Sequence, residues 1–270
     1  MTPDLAATFL FVPGDRPERF AKAEAAGPDC VVLDLEDAVG PAAKATARDH
    51  VVSFLSGGGR GVVRMNGPAT VWFAEDLAAL AAAPPAGILL PKTESPAEVA
   101  RVRAALPATP VLPIVETAEG IAAALDIARA EGVARLVFGT LDFQLDLGIE
   151  GAGEELDAFR AMLVLASRRA GIAPPVDGVS LAIDAPDTVE AEARRARRFG
   201  FSAKLLIHPR QVEPAARAFR PSAEELDRAR RIVAASNAAA GAAIALDGRM
   251  IDAPVVEIAR RLVLRHDTAR

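Results

Sequence analysis

The segments PVLPIVE (Pro110–Glu116) and ARLVFGTLD (Ala134–Asp142) decide how this chain folds. Each is an apolar run that reads as a strand, and each ends on a carboxylate, Glu116 or Asp142. A buried or half-buried charge is costly without a partner. Both strand ends would have to face one cavity for the pair to share a cation. A parallel barrel provides that geometry, because it gathers the C-terminal ends of all its strands around one mouth.

The rest of the chain repeats the pattern. Apolar runs at Thr8–Val12, Cys30–Leu35, Gly61–Met65, Gly87–Pro91, Val111–Val115, Arg135–Gly139, Val176–Leu181 and Ala203–Ile207 read as eight strands. Alanine-rich helical stretches lie between them, among them Pro17–Ala26, Pro96–Ala105, Thr117–Ala130 and Asp187–Phe199. The strands are continuous apolar runs, as expected where both faces are buried. Eight such repeats predict a (β/α)8 TIM barrel over residues 1–220. Asp15, followed by Pro17 and Glu18, reads as a helix N-cap with a capping box, and Ser222 with Glu225 repeats that signature. Beyond Arg220-Pro221 the sequence predicts a separate extension, 221–270: a long helix over Ala223–Ala240, a hairpin turn at Asp247-Gly248, and a last helix from Ala253. Such a tail could pack on its own barrel or on a neighbouring subunit.

Composition narrows the function classes. The chain has 270 residues, half of them apolar, and a net charge of −5, which argues against a nucleic-acid partner. The lone cysteine, Cys30, allows no internal disulfide and fits a reducing cytoplasm. No signal peptide and no membrane span are expected. Cys30 lies inside a predicted strand, which argues against a nucleophile.

Three groups carry candidate chemistry. Asp34-Leu35-Glu36-Asp37 closes the second strand, with Asp34 and Glu36 on one face. Its plainer reading is a polar rim. Arg64 and Asn66 share a face at the end of the third strand. A guanidinium there suits bidentate recognition of a substrate carboxylate, or an ion pair with Asp34 or Glu36. Glu116 and Asp142 match the needs of Mg²⁺, which is often held by one or two carboxylates and keeps several waters. They also read as a first-turn acid and a helix N-cap, and Asp146 competes as a second ligand. Lys92 could form a Schiff base, pair with an acid or contact a phosphate. His208 is left without a role.

The ordered motifs FVPGDRPERFAKA (11–23), VVLDLEDAV (31–39), VVRMNG (62–67), LPKTES (90–95), PIVETAEG (113–120), FGTLDFQLDLG (138–148), LLIHPRQV (205–212) and GRMIDAPVV (248–256) span nearly the whole chain. In them the chain resembles the citrate lyase β-subunit-like proteins of the HpcH/HpaI aldolase superfamily. The resemblance implies a Mg²⁺-dependent carbon–carbon lyase acting on acyl thioesters, usually of coenzyme A. It implies metal ligation by Glu116 and Asp142 and a keto-acid grip by Arg64, supported by Glu36 and Asp37. Asp252 corresponds to an acid/base delivered from a neighbouring subunit, although it also suits a helix N-cap. Arg16 and Lys22 correspond to contacts with the nucleotide phosphates, and a homotrimer is the family expectation. Many members read Gly-x-Glu-Asp-Leu where this chain has Gly139-Thr140-Leu141-Asp142-Phe143, a departure that points to a subgroup with a different substrate.

The implied reaction cleaves a carboxylated β-hydroxyacyl-CoA, such as citramalyl-CoA or malyl-CoA, into acetyl-CoA and a 2-keto acid. Rival readings are a metal-dependent pyruvate aldolase acting on free aldehydes, a thioester hydrolase, and a regulatory barrel subunit without turnover.

Overall fold

Eight parallel strands close into a barrel in sequential order: β1 (Thr8–Pro13), β2 (Cys30–Asp34), β3 (Val62–Arg64), β4 (Gly87–Leu90), β5 (Val111–Val115), β6 (Val137–Phe138), β7 (Val176–Asp177) and β8 (Ala203–Leu206). The computed structural model describes residues 1–239 and 243–268. It forms two compact units, Met1–Phe219 and Arg220–Arg270. No helix among the described residues is long and apolar enough to cross a membrane.

The expected barrel is present, and its strand ladder explains which side chains meet. Alternate residues point inward and form one cluster that includes Phe9, Val32, Val62, Leu89, Leu112, Val137, Val176 and Ala203. The intervening residues, among them Leu10, Leu33, Val63, Ile88 and Leu206, pack outward into the main hydrophobic cluster. This period of two carries Asp34 and Arg64 to the inner face, in register with each other across the β2–β3 ladder.

The barrel helices are α1 (Phe20–Ala25), α2 (Lys44–Ser56), α3 (Phe73–Ala82), α4 (Pro96–Ala105), α5 (Ala118–Ala122), α6 (Ala124–Arg129), α7 (Thr140–Leu147), α8 (Asp157–Ala170), α9 (Pro186–Phe199) and α10 (Val212–Phe219). Several differ from the sequence expectation. The stretch 117–130 is two helices, parted at Ala123, where ψ is 0°. Alanines flank that break, so no proline or cap marks it. Asp15 caps nothing: the chain enters α1 through a 3₁₀ turn whose N-cap is Arg16. There the Arg16 and Arg19 amides bond to the Pro13 and Arg16 carbonyls instead. Strand β7 stops at Asp177 rather than Leu181. Beyond it the Gln211 side chain, not a neighbouring strand, bonds to the Ser180 and Ala182 carbonyls at 2.9 and 3.1 Å.

The second unit holds α11 (Ala223–Ala238), a hairpin of β9 (Ile244–Leu246) and β10 (Arg249–Ile251), and α12 (Ala253–Thr268). The expected end of its first helix, Ala240, lies outside the described residues. Ser222 Oγ accepts the Glu225 amide at 3.1 Å, and Glu225 Oε2 accepts the Ser222 amide at 2.8 Å, completing the capping box. Asp247 and Gly248 both have positive φ, 51° and 71°, as a two-residue hairpin loop of type I′ requires. Ala229 and Ile232 cluster with Ile251, Val256 and Ala259 in a small core of buried and half-buried side chains.

Arg135, wholly buried two residues before β6, closes the barrel floor. Its guanidinium donates to the carbonyls of Pro3, Ala6, Pro174 and Pro175 and to Ser202 Oγ. No carboxylate bonds to it among the described contacts, and burial holds its pKa down to about 10. Replacing Arg135 with methionine strands those carbonyls, and stranded buried acceptors cost about 1–3 kcal/mol each. Urea unfolding of Arg135→Met is therefore expected to show a loss of about 3 kcal/mol or more. Unchanged stability would remove Arg135 as the floor tie.

Candidate active site

The C-terminal ends of β2 to β5 converge on one charged cluster. Asp34 ends β2 and is 1% exposed. Its carboxylate accepts the amides of Glu36 and Ala38 at 2.9 and 3.1 Å. It also accepts a bidentate pair from Arg64, Nε and Nη2 both at 2.7 Å. The two parallel bonds fix the guanidinium plane. The remaining nitrogen, Nη1, lies 3.0 Å from Glu36 Oε2 and 3.3 Å from Asp37 Oδ2. The Phe11 ring lies under the guanidinium at 4.7 Å. Burial opposes the arginine's charge, but Asp34, Glu36 and Asp37 outweigh it and raise its pKa. The expected ion pair with Asp34 and Glu36 is present.

Arg64 and Asn66 do not share a task. The strand ends at Arg64, and the Asn66 side chain turns to Asp76 of α3 at 2.7 Å. Lys44 of α2 braces the acidic turn from behind, its ammonium donating to the Leu35 and Glu36 carbonyls at 2.7 Å each.

Lys92 follows β4 and joins the cluster twice. Its backbone amide donates to Glu116 Oε1 at 2.6 Å, and its ammonium donates to Glu36 Oε1 at 2.9 Å and lies 3.8 Å from Asp142 Oδ1. Its φ of 51° is a left-handed conformation that a lysine rarely adopts. Of the readings the sequence leaves open for Lys92, the structure displays the ion pair.

Glu116 is 3% exposed. Burial, then the nearby carboxylates of Glu36 and Asp142, push its pKa up to about 8, against the Lys92 amide and ammonium. Gly139 makes room for it, because a Cβ at that position would overlap the Glu116 carboxylate. Asp142 stands in the first turn of α7, half-buried and turned toward Lys92. It is not the N-cap, which is Gly139, and the cap of α5 is Thr117, whose Oγ1 accepts the Gly120 amide at 3.1 Å. Asp146 Oδ2 accepts the Ala118 amide at 2.7 Å, and Asp146 is not among the residues lining the cavity. His208 Nδ1 accepts the Arg210 amide at 3.2 Å, a capping role.

Asp34, Asp37, Arg64, Glu116 and Asp142 line a cavity of about 390 Å³ at the mouth. With Glu36, the cluster holds five carboxylates and two cations, Arg64 and Lys92. Such an oxygen-rich donor set with surplus negative charge suits a hard divalent cation. Among the described residues no three His, Cys, Asp or Glu side chains are arranged to hold one metal ion, so Glu116 and Asp142 would leave most coordination positions to water or substrate. Arg16 and Lys22 are exposed and outside the cavity lining. Asp252 heads α12, where its Oδ1 accepts the Val255 amide at 3.3 Å. Burial pushes the Cys30 thiol up to about 11, an unreactive setting.

The sequence reading passed over Gly139, the Lys92 amide and Lys44. Gly139 carried a signal, a glycine between an apolar run and an acid. Neither lysine role is visible without the backbone.

A family model for HpcH/HpaI aldolase/citrate lyase matches residues 7–209. The citrate lyase subunit beta-like protein of Mycobacterium tuberculosis is 38% identical over 265 residues, covering 95% of this chain and 94% of that protein. The (3S)-malyl-CoA thioesterase of Cereibacter sphaeroides is 34% identical over 265 residues, covering 95% and 93%. Among solved structures, protein CitE from Mycobacterium tuberculosis in complex with magnesium, acetoacetate and coenzyme A aligns with a TM-score of 0.88 at 36% identity, over 98% of this chain and 99% of that one.

The folded chain keeps the Glu116 proton up to about pH 8, whereas an unfolded glutamate releases it near 4.5. The folded state therefore binds more protons between these values, and stability falls as pH rises through them. In EDTA, the thermal midpoint is expected to drop between about pH 5 and pH 8, and Glu116→Gln to remove that part of the slope. Identical slopes in both proteins would show that Glu116 ionises normally.

Proposed function

The chain belongs to the HpcH/HpaI aldolase/citrate lyase family, and from that premise we propose that it is a Mg²⁺-dependent carbon–carbon lyase of carboxylated β-hydroxyacyl-CoA thioesters. The observation that carries the proposal is the surplus of carboxylate at the mouth. An anionic substrate would be repelled there unless a cation offset that charge. Glu116 and Asp142 would hold Mg²⁺, which when bound supplies a Lewis acid for the substrate's oxygens.

The chain's own residues divide the remaining work. Arg64, its plane set by Asp34, grips the substrate carboxylate. Glu36 is a positioning residue that ties Arg64 to Lys92. Asp37, exposed at the cavity edge, would take the substrate hydroxyl proton. As that proton leaves, the hydroxyl carbon becomes the carbonyl of a 2-keto acid. The carbon–carbon bond breaks and its electron pair moves onto the thioester as an enolate, which Asp252 of a neighbouring subunit protonates to acetyl-CoA. Arg16 and Lys22 would contact the nucleotide phosphates of coenzyme A. We propose further that the protein works in the cytoplasm as a homo-oligomer, a trimer by family expectation, with the unit Arg220–Arg270 carrying Asp252 to its neighbour.

Likeness to a (3S)-malyl-CoA thioesterase supports a second reading, in which the same cavity hydrolyses the thioester. Incubation with citramalyl-CoA and malyl-CoA, each with Mg²⁺ or EDTA, separates the two. Acetyl-CoA that EDTA abolishes is the expected product, and free coenzyme A would mark the hydrolase. Glu116→Ala should lower turnover by at least about a thousandfold, since metal stabilisation supplies several kcal/mol. Full turnover in that variant would overturn the metal assignment.

A further inference from the structure

The mouth is polar on one side and apolar on the other. Barrel closure in sequential order sets β6–β8 across from β2–β4. Asp34, Arg64 and Lys92 stand at the ends of β2–β4, with Glu116 following on β5. The opposite wall is formed by Leu141, Val179 and Ile207, with Leu205 beneath them and Thr140 and Asp142 at its β6 edge. Leu141 is 41% exposed and Ile207 is 39% exposed, high for large apolar side chains lining a cavity.

No cation serves that wall. Among the described residues, Arg64 is the one basic side chain lining the cavity. The polar groups that follow β7 and β8 are engaged elsewhere. Gln211 Oε1 accepts the Ile207 and His208 amides at 2.8 and 3.2 Å, while its Nε2 donates to the Ser180 and Ala182 carbonyls. Lys204 points out of the barrel to Asp177 at 2.9 Å, and Arg210 pairs with Asp184.

We propose that this wall is a side-chain pocket selecting a 2-keto acid with an apolar substituent against one with a second carboxylate, and that Leu141 is its specificity-determining residue. The inference rests on the lyase reading for its substrate class. The keto acid's own carboxylate goes to the charged side, where Arg64 stands. Its substituent is left facing Leu141, Val179 and Ile207. Each methylene buried there should favour binding about fourfold. A second carboxylate would lose water against a wall that offers it no partner.

The test is calorimetric titration, with Mg²⁺ present, of pyruvate, 2-oxobutyrate, 2-oxo-3-methylbutyrate and oxaloacetate into the wild-type, Leu141→Ala and Leu141→Lys proteins. In the wild type, 2-oxobutyrate should bind about fourfold tighter than pyruvate, and oxaloacetate at least about tenfold weaker than 2-oxobutyrate. Leu141→Ala should bring the ratio of 2-oxobutyrate to pyruvate toward one. Leu141→Lys should shift preference toward oxaloacetate. A flat series, which would arise if the thioester arm occupied the wall, overturns the proposal. So does oxaloacetate binding as tightly as 2-oxobutyrate, or binding of none of the four. Graded binding without cleavage of any thioester would overturn the lyase reading and leave the pocket standing. Cleavage with a flat series would do the reverse.

Discussion

Closing eight parallel strands forces the ends of β2, β3, β4 and β5 together, and this chain places more negative charge there than its own cations balance. The acids do not share the two cations evenly. Asp34, the most buried, takes two amides and both parallel bonds of Arg64, so its charge is fully solvated by protein. Glu36 is divided between Arg64 and Lys92. Glu116 receives one backbone amide and sits near two other carboxylates, which is why its proton is held up to about pH 8. Desolvation and like-charge repulsion act in the same direction on that carboxyl. The imbalance therefore falls on Glu116, at the edge of the cavity that would receive substrate, and on Glu36, whose pKa burial also raises.

Elsewhere in the barrel, buried charge is met by protein partners. Asp177 lies between Lys204 and Arg160, at 2.9 and 3.1 Å, and its pKa falls despite complete burial because the two cations outweigh desolvation. Asp76 is shared by Arg48 and Asn66. Arg135 on the floor is met by carbonyl dipoles in place of an acid. A buried ion whose partners enclose it away from the cavity holds structure together and meets no ligand. The contrast with Glu116 and Asp142 separates a tie from a site without reference to sequence motifs.

Much of this was legible in the sequence, for reasons that differ by residue. The strand runs show because both faces of each strand are buried, so every position is apolar and the closing acid stands out. That brought Asp34, Glu36, Arg64, Glu116 and Asp142 forward as candidates, and the structure places them in one cluster. Strand lengths were less legible. The apolar run through Val179 and Leu181 continues past the end of β7, where a glutamine side chain takes over the backbone bonds. Asp15 looked like a cap, but Pro17 has no amide to offer it, and the Arg16 and Arg19 amides bond to backbone carbonyls. The part played by Lys92 rests on a left-handed φ that sets its amide against Glu116, and no residue type encodes that conformation for lysine. Gly139 matters only because the Glu116 carboxylate lies where its side chain would be.

One short turn ties the two halves of the mouth together. Gly139 clears space for Glu116, Leu141 forms part of the apolar wall, and Asp142 lies 3.8 Å from the Lys92 ammonium. Successive residues of a helix point about 100° apart, so the first turn of α7 can direct neighbouring side chains to opposite tasks. Such an arrangement separates the chemistry from the choice of substrate: the acids that would hold a cation stay fixed by burial and by Lys92, while the facing side chain sets what fits beside them.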